Sequence, residues 1–191
     1  MNISSLITNQ GLQMSGSILI SPAVFFDDRG FFMESWNQEK FHSYIGHKIS
    51  FVQDNHSQSA IGVLRGLHYQ IPPNAQGKLV RCIVGEIFDV IVDLRRKSET
   101  FCQWSGVHLS AENKQQIWIP PGFAHGFLSL TDRAEIIYKV TNYWHNSSER
   151  SLRWDDPTLN IQWPNLSQDL IISDKDLKGK IISNLNDNDF F

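Results

Sequence analysis

Lys78-Leu79-Val80-Arg81-Cys82-Ile83-Val84-Gly85-Glu86-Ile87-Phe88-Asp89-Val90-Ile91-Val92-Asp93-Leu94 is the stretch that decides the fold. From Lys78 to Val84 apolar and polar residues alternate loosely, and the alternation resumes after Gly85-Glu86. There Phe88, Val90, Val92 and Leu94 take one side, and Asp89, Ile91 and Asp93 the other. A period of two is the period of a strand, so this segment predicts two strands joined by a tight turn. Downstream, further strands are expected at about residues 103–109, 116–119, 124–130 and 134–142. A polar turn at Ser110 to Lys114 and the break Pro120-Pro121-Gly122 separate them. Short strands with turn signals about every 8–12 residues indicate a sandwich or barrel. Helical patterning is confined to residues 37–44, opened by Asn37 as cap, and residues 174–180. No repeat, low-complexity block or linker interrupts the chain, so a single, mostly β domain over residues 1–191 is expected, with 183–191 as a loosely held tail.

Composition bounds the function classes. The chain has 191 residues, 41% hydrophobic and 19% charged, enough to bury a core and unlike a disordered segment. Lys and Arg number 17 against 20 Asp and Glu, a net charge of −3, which disfavours a basic nucleic-acid-binding surface. The N-terminal stretch to Asp28 carries no Lys, Arg or His, so the positive region of a secretion signal is missing. The longest apolar run, Ile83 to Leu94, is broken by Glu86, Asp89 and Asp93 and is too short for a membrane span. Two cysteines, Cys82 and Cys102, are too few for a disulfide framework and read as buried thiols in a reducing compartment. A cytoplasmic protein is expected.

The residues able to carry chemistry fall in a few segments. In Gly62-Val63-Leu64-Arg65-Gly66-Leu67-His68-Tyr69-Gln70, the glycines permit a turn or close approach. Arg65 suits a phosphate and His68 a general base, while a surface arginine and a hydrogen-bonded structural histidine fit the same letters. Pro120-Pro121-Gly122-Phe123-Ala124-His125 matches part of the second motif of cupins, small jelly-roll barrels. In metal cupins that histidine is a ligand, but the first motif here would be His68-Tyr69-Gln70, which lacks the second histidine, so no metal is expected. His125 then reads either as a ligand-contacting group or as a hydrogen-bonded residue in the barrel mouth. Lys78 opens the strongest strand, either solvated or aimed at a developing oxyanion. Tyr138 lies in an apolar strand and fits plain packing as well as proton transfer. Ser173-Asp174-Lys175-Asp176 has the form of a capped helix start. Tyr143-Trp144 follows the last strand, where aromatics either pack or stack on a ligand. His42, His47, His56, His108 and His145 have no helpful neighbours and read as structural or exposed.

Taken together these segments resemble the dTDP-4-dehydrorhamnose 3,5-epimerase family, cupin-fold enzymes of dTDP-rhamnose synthesis. The resemblance runs from about Pro22 to Lys178. It rests on Asp28-Arg29-Gly30-Phe31-Phe32-Met33-Glu34, on Phe51-Val52-Gln53-Asp54-Asn55-His56-Ser57 and on the block containing Arg65 and His68. Gln76-Gly77-Lys78-Leu79-Val80-Arg81, the Trp118 to Phe127 segment, and Ser173 with Lys175-Asp176 complete it. The resemblance implies a cupin-type jelly roll that epimerises a dTDP-4-keto sugar at C3 and C5 without a cofactor. It implies His68 as base, Asp176 as its carboxylate partner, Tyr138 as acid on the opposite face and Lys78 beside the enolate oxygen. Arg29, Glu34, Gln53, Asn55, Arg65, His125, Glu149 and Lys175 fall on positions that contact the nucleotide sugar. Trp144 stands where many members carry a tyrosine that stacks on thymine. A homodimer with strand exchange between sites is implied as well. Three other readings use overlapping residues: a mono-epimerase on a related sugar, a metal cupin such as a dioxygenase, and a nucleotide-sugar-binding jelly roll without activity.

Overall fold

The computed structural model describes residues 2–191; Met1 lies outside the described residues. Strands β1 (Asn2–Ile7), β2 (Gln13–Ser21), β3 (Val24–Asp27) and β4 (Gly30–Met33) lead to helix α1 (Gln38–Ile45). Next come β5 (Gln53–Ser59), β6 (Val63–Gln70), β7 (Lys78–Val84), β8 (Glu86–Asp93) and β9 (Trp104–Ser110). The chain continues through β10 (Gln116–Ile119), β11 (Phe123–Ser129), β12 (Ala134–Val140), β13 (Glu149–Ser151), β14 (Ile171–Ile172) and helix α2 (Asp174–Leu177).

One sheet has the order β1-β2-β10-β7-β12-β5, and the other β13-β6-β11-β8-β9 with β14 added parallel to β6. The sheets face each other across a shared core. Val80, Cys82, Ile117 and Ile136 from the first meet Ile87, Ile91, Phe123 and Phe127 from the second. The alternation read in β8 is realised: Ile87 and Ile91 enter this core, while Phe88, Val90 and Val92 enter a second core behind the sheet. That second core is closed by the C-terminal segment through Leu152, Leu159 and Ile161, which is why both faces of β8 are buried. A third cluster, Ile20, Leu79 and Trp118, is covered by Phe41 of α1. Two facing antiparallel sheets form the expected mostly β, cupin-type jelly roll.

Helix α1 begins as read, with the Asn37 side chain accepting from the Lys40 N–H at 3.1 Å, and ends at Gly46 in the left-handed region. The helix expected over 174–180 stops at Leu177. Lys180 is diverted into backbone pairing with Ser151 and Arg153, at 2.9 and 3.0 Å. The last residues are not loose. The Phe191 N–H donates to the Leu94 carbonyl, the Arg96 N–H donates to that of Phe191, and Asp189 is buried. Apolar contact explains this, because Phe190 packs against Phe101 and Phe191 against Tyr69. Cys82 is buried but Cys102 only half-buried, and both are free thiols. Among the described residues no helix is long and apolar enough to cross a membrane.

Candidate active site

Period-two geometry puts polar site residues on the same inner faces as the shared core. Lys78 is in line with Val80 and Cys82 on β7, Tyr138 with Ile136 on β12, and His125 with Phe123 and Phe127 on β11. His68 requires a different device. Arg65 and His68 are three residues apart on β6, so strict alternation would send them to opposite faces. A β-bulge intervenes: Arg65 pairs with Phe127 and His68 with His125, so two residues of β6 stand against one of β11. Both side chains consequently line the same cavity. Gly66 carries the bulge at φ +113°, and a Cβ there would lie 2.6 Å from Gly126 Cα, so only glycine fits.

The cavity between the sheets has a main volume of about 590 Å³ and an adjoining one of about 220 Å³, and His68, Lys78, Tyr138 and Glu149 line both. His68 and His125 rise from one sheet, Lys78 and Tyr138 from the other, so the imidazole of His68 and the phenol of Tyr138 belong to opposing walls.

His68 and Asp176, 108 positions apart in sequence, are joined by a 2.5 Å contact from Nε2 to Oδ1. A carboxylate can only accept, so Nε2 carries the hydrogen and Nδ1 is left as the basic nitrogen. Asp176 is set by the short helix α2, whose Ser173 cap accepts from the Asp176 N–H, while the bulge residue Gly66 donates its N–H to Oδ2 at 3.4 Å. Burial pushes the Asp176 carboxyl up, but the hydrogen bonds from His68, Ser173 and Gly66 outweigh it and hold the pKa below the usual value. The expected capping role of Ser173 and the pairing of Asp176 with His68 therefore coexist in one turn.

Lys78 is buried, its Nζ donating to the His68 carbonyl at 3.2 Å. Burial lowers its pKa to about 8, partly offset by the nearby carboxylates of Asp89 and Glu149. Burial likewise raises the Tyr138 hydroxyl, which is therefore protonated at neutral pH. Glu149 and Lys175 form a 2.7 Å ion pair at the cavity edge. Arg65 reaches Ser59 Oγ and the Gln58 carbonyl, both at 3.1 Å. Gln53 and Asn55 are hydrogen-bonded to each other at 2.8 Å and line the smaller volume with Trp144, whose ring is largely exposed. Arg29 and Glu34 do not line either volume. They sit on and beside the separate β3–β4 hairpin, paired with Asp27 and Lys40.

One residue was not singled out from sequence. Asp89, fully buried, accepts from His125 Nε2 at 2.8 Å, and its Oδ1 has no partner among the described residues. Burial lowers the His125 pKa despite Asp89, with Lys78 and His68 adding to the effect, so the ring is held neutral with Nδ1 as an acceptor. A lone carboxylate between the apolar Ile87, Phe88, Val90 and Ile91 was the available signal. Among the described residues no group of three or more His, Cys, Asp or Glu side chains is arranged to hold a metal ion.

Residues 11–184 match the family model described as dTDP-4-dehydrorhamnose 3,5-epimerase. Curated proteins of that name are similar: the one from Shigella flexneri is 58% identical over 163 residues, covering 85% of this chain and 89% of its own. The Pseudomonas aeruginosa protein is 61% identical over the same length and shares of each chain. The crystal structure of dTDP-6-deoxy-D-glucose-3,5-epimerase from Legionella pneumophila in complex with dTDP-4-keto-L-rhamnose superposes with a TM-score of 0.90 at 44% identity, covering 99% of this chain and 97% of that one.

Proposed function

The chain belongs to the dTDP-4-dehydrorhamnose 3,5-epimerase family and is a sugar isomerase, and from that premise we propose that it inverts C3 and C5 of dTDP-4-dehydro-6-deoxy-D-glucose to give dTDP-4-dehydro-L-rhamnose, in dTDP-L-rhamnose synthesis. The observation that carries the mechanism is the opposition of His68 and Tyr138 across one cavity, with the Lys78 ammonium between the same walls.

The C3 and C5 hydrogens both flank the C4 ketone, so one group that stabilises negative charge on O4 serves either position. The ketone itself acidifies these C–H bonds, and the reading calls for no redox cofactor. His68 Nδ1 removes the proton, and Asp176 fixes the ring orientation and balances the imidazolium that forms. The electron pair moves onto O4 as the enolate, held by the buried Lys78 ammonium. Tyr138 then delivers a proton to the same carbon from the other face, which inverts it. Arg65, with Arg29 of a second copy, suits the pyrophosphate, Trp144 offers a flat face to thymine, and Gln53, Asn55, His125, Glu149 and Lys175 complete the contacts with the nucleotide sugar. Arg29 and Glu34 join through a second copy: in a homodimer the exposed β3–β4 hairpin reaches the neighbouring site.

Proton NMR of the 4-keto substrate with enzyme in deuterated water tests this reading. Deuterium is expected at both C3 and C5, and His68→Ala is expected to slow its entry by about 10²–10⁴-fold. Undiminished exchange in that variant would remove His68 as base, and label at one carbon only would reduce the activity to mono-epimerisation. Tyr138→Phe is expected to keep hydrogen washout while losing most of the inverted product; normal product stereochemistry would refute the two-wall assignment.

A further inference from the structure

The Glu149 carboxylate pairs with Lys175, and the backbone turn that carries it is tied to the C-terminus. Glu149 opens β13, a three-residue strand at the edge of its sheet, paired with β6 through Glu149–Gln70, Arg150–Tyr69 and Ser151–His68 and, at its far end, with Lys180 through Ser151. Backbone bonds continue past both ends, Leu67 with Leu152 and the Ile71 N–H to the Ser148 carbonyl at 3.0 Å, but a strand this short at a sheet edge is where local opening is easiest. The next residue adds a side-chain clamp. The Arg150 guanidinium donates through Nη1 to the carbonyls of Ser147 and of Glu149, both at 2.9 Å, and so grips the turn from which Glu149 projects. Its Nε donates to Asp189 Oδ1 at 2.7 Å. Asp189 is itself buried, with Oδ2 accepting from the Asn186 N–H at 3.1 Å and from Lys180 Nζ at 3.5 Å.

The segment beyond Asp189 is pinned independently of the site. Phe190 packs under the Arg96 guanidinium at 4.3 Å, and Phe191 exchanges backbone hydrogen bonds with Leu94 and Arg96 at the end of β8. Asp189 is thus an anchored carboxylate pulling on the arginine that shapes the Glu149 turn. It lies past residue 184, where the family match stops.

We propose that the C-terminal segment is a strap for the substrate site, with Asp189 and Arg150 as positioning residues that act through Glu149. The proposal rests on the reading of Glu149 as a nucleotide-sugar contact. Hydrogen–deuterium exchange and steady-state kinetics on Asp189→Ala, Glu149→Gln and the double variant of the full chain test it. Asp189→Ala is expected to speed amide exchange over residues 145–151 while β11 and β12 keep their protection. It is expected to raise KM for the nucleotide sugar about five- to tenfold with kcat within about twofold, a factor that disappears when Glu149 is already Gln. Unchanged exchange over 145–151, or the same KM factor in both backgrounds, overturns the strap. If Glu149→Gln alone leaves KM unchanged, the reading of Glu149 as a substrate contact fails, and the exchange over 145–151 decides the strap by itself. If Asp189→Ala loosens the whole chain, Asp189→Asn, which keeps the size and one acceptor oxygen, is read the same way.

Discussion

At the scale of single residues, the buried ammonium of Lys78 makes a pH dependence that an exposed lysine would not. The cation is the form that stabilises an enolate, and it is lost as pH rises through about 8. The kcat/KM profile is therefore expected to fall above about pH 8, and a profile flat to pH 10 would show that Lys78 is not the group on O4. Asp89→Asn gives the complementary result. Asp89 raises the Lys78 pKa, so neutralising it should move the alkaline limb to lower pH. The asparagine carbonyl can still accept from His125 Nε2, so a shift in that limb reports charge rather than lost orientation. Much of this was legible in the sequence through motif resemblance, since His68, Lys78, Tyr138 and Asp176 were all named by it. Their meeting was not. Taken alone, Tyr138 and the Ser173 cap favoured plain structural accounts, because contacts across 108 positions are settled by topology and leave no local trace.

At the scale of elements, the strands downstream of Lys78 with an apolar face were readable, whereas β2 was not expected although its Met14 and Ile20 are buried, and strands without an apolar face were not readable at all. β7, β8, β10, β11 and β12 fall close to their expected positions, whereas β1 and β5 carry runs such as Gln53-Asp54-Asn55-His56-Ser57-Gln58-Ser59 with no apolar alternation. β5 is a strand because β12 pairs with it along its whole length, from Gln53–Val140 to Ser59–Ala134. The bulge in β6 was beyond reach for a related reason, since it depends on how β11 packs. Its two glycines make a stability prediction. A Cβ on Gly126 would lie 2.6 Å from the Arg65 carbonyl and 3.0 Å from Leu67. Gly126→Ala is expected to cost roughly 1–3 kcal/mol in denaturant unfolding, with activity falling further because the strand that presents His68 is displaced. Full activity and unchanged stability would mean that the β6–β11 approach is looser than described.

At the scale of the whole molecule, the β3–β4 hairpin carries four phenylalanines that a single chain leaves uncovered. Phe25, Phe26, Phe31 and Phe32 are 64%, 74%, 56% and 70% exposed, a patch whose burial a second copy would supply. Sedimentation is expected to give a dimer, and Phe26→Ser with Phe32→Ser a monomer with weakened substrate binding. A wild-type chain that sediments as a monomer would leave Arg29 and Glu34 without a site. The two facing sheets have one more consequence. On the proposed mechanism one wall takes a proton from the sugar and the other returns one, so the intersheet gap governs the reach of both, and Val80, Ile91 and Ile136 pack in that gap without lining the cavity. Those aliphatic side chains act as the jaws of a calliper. Swelling or shrinking one of them is expected to mis-set the reach of His68 and Tyr138 at once, Tyr138 packing against the same cluster.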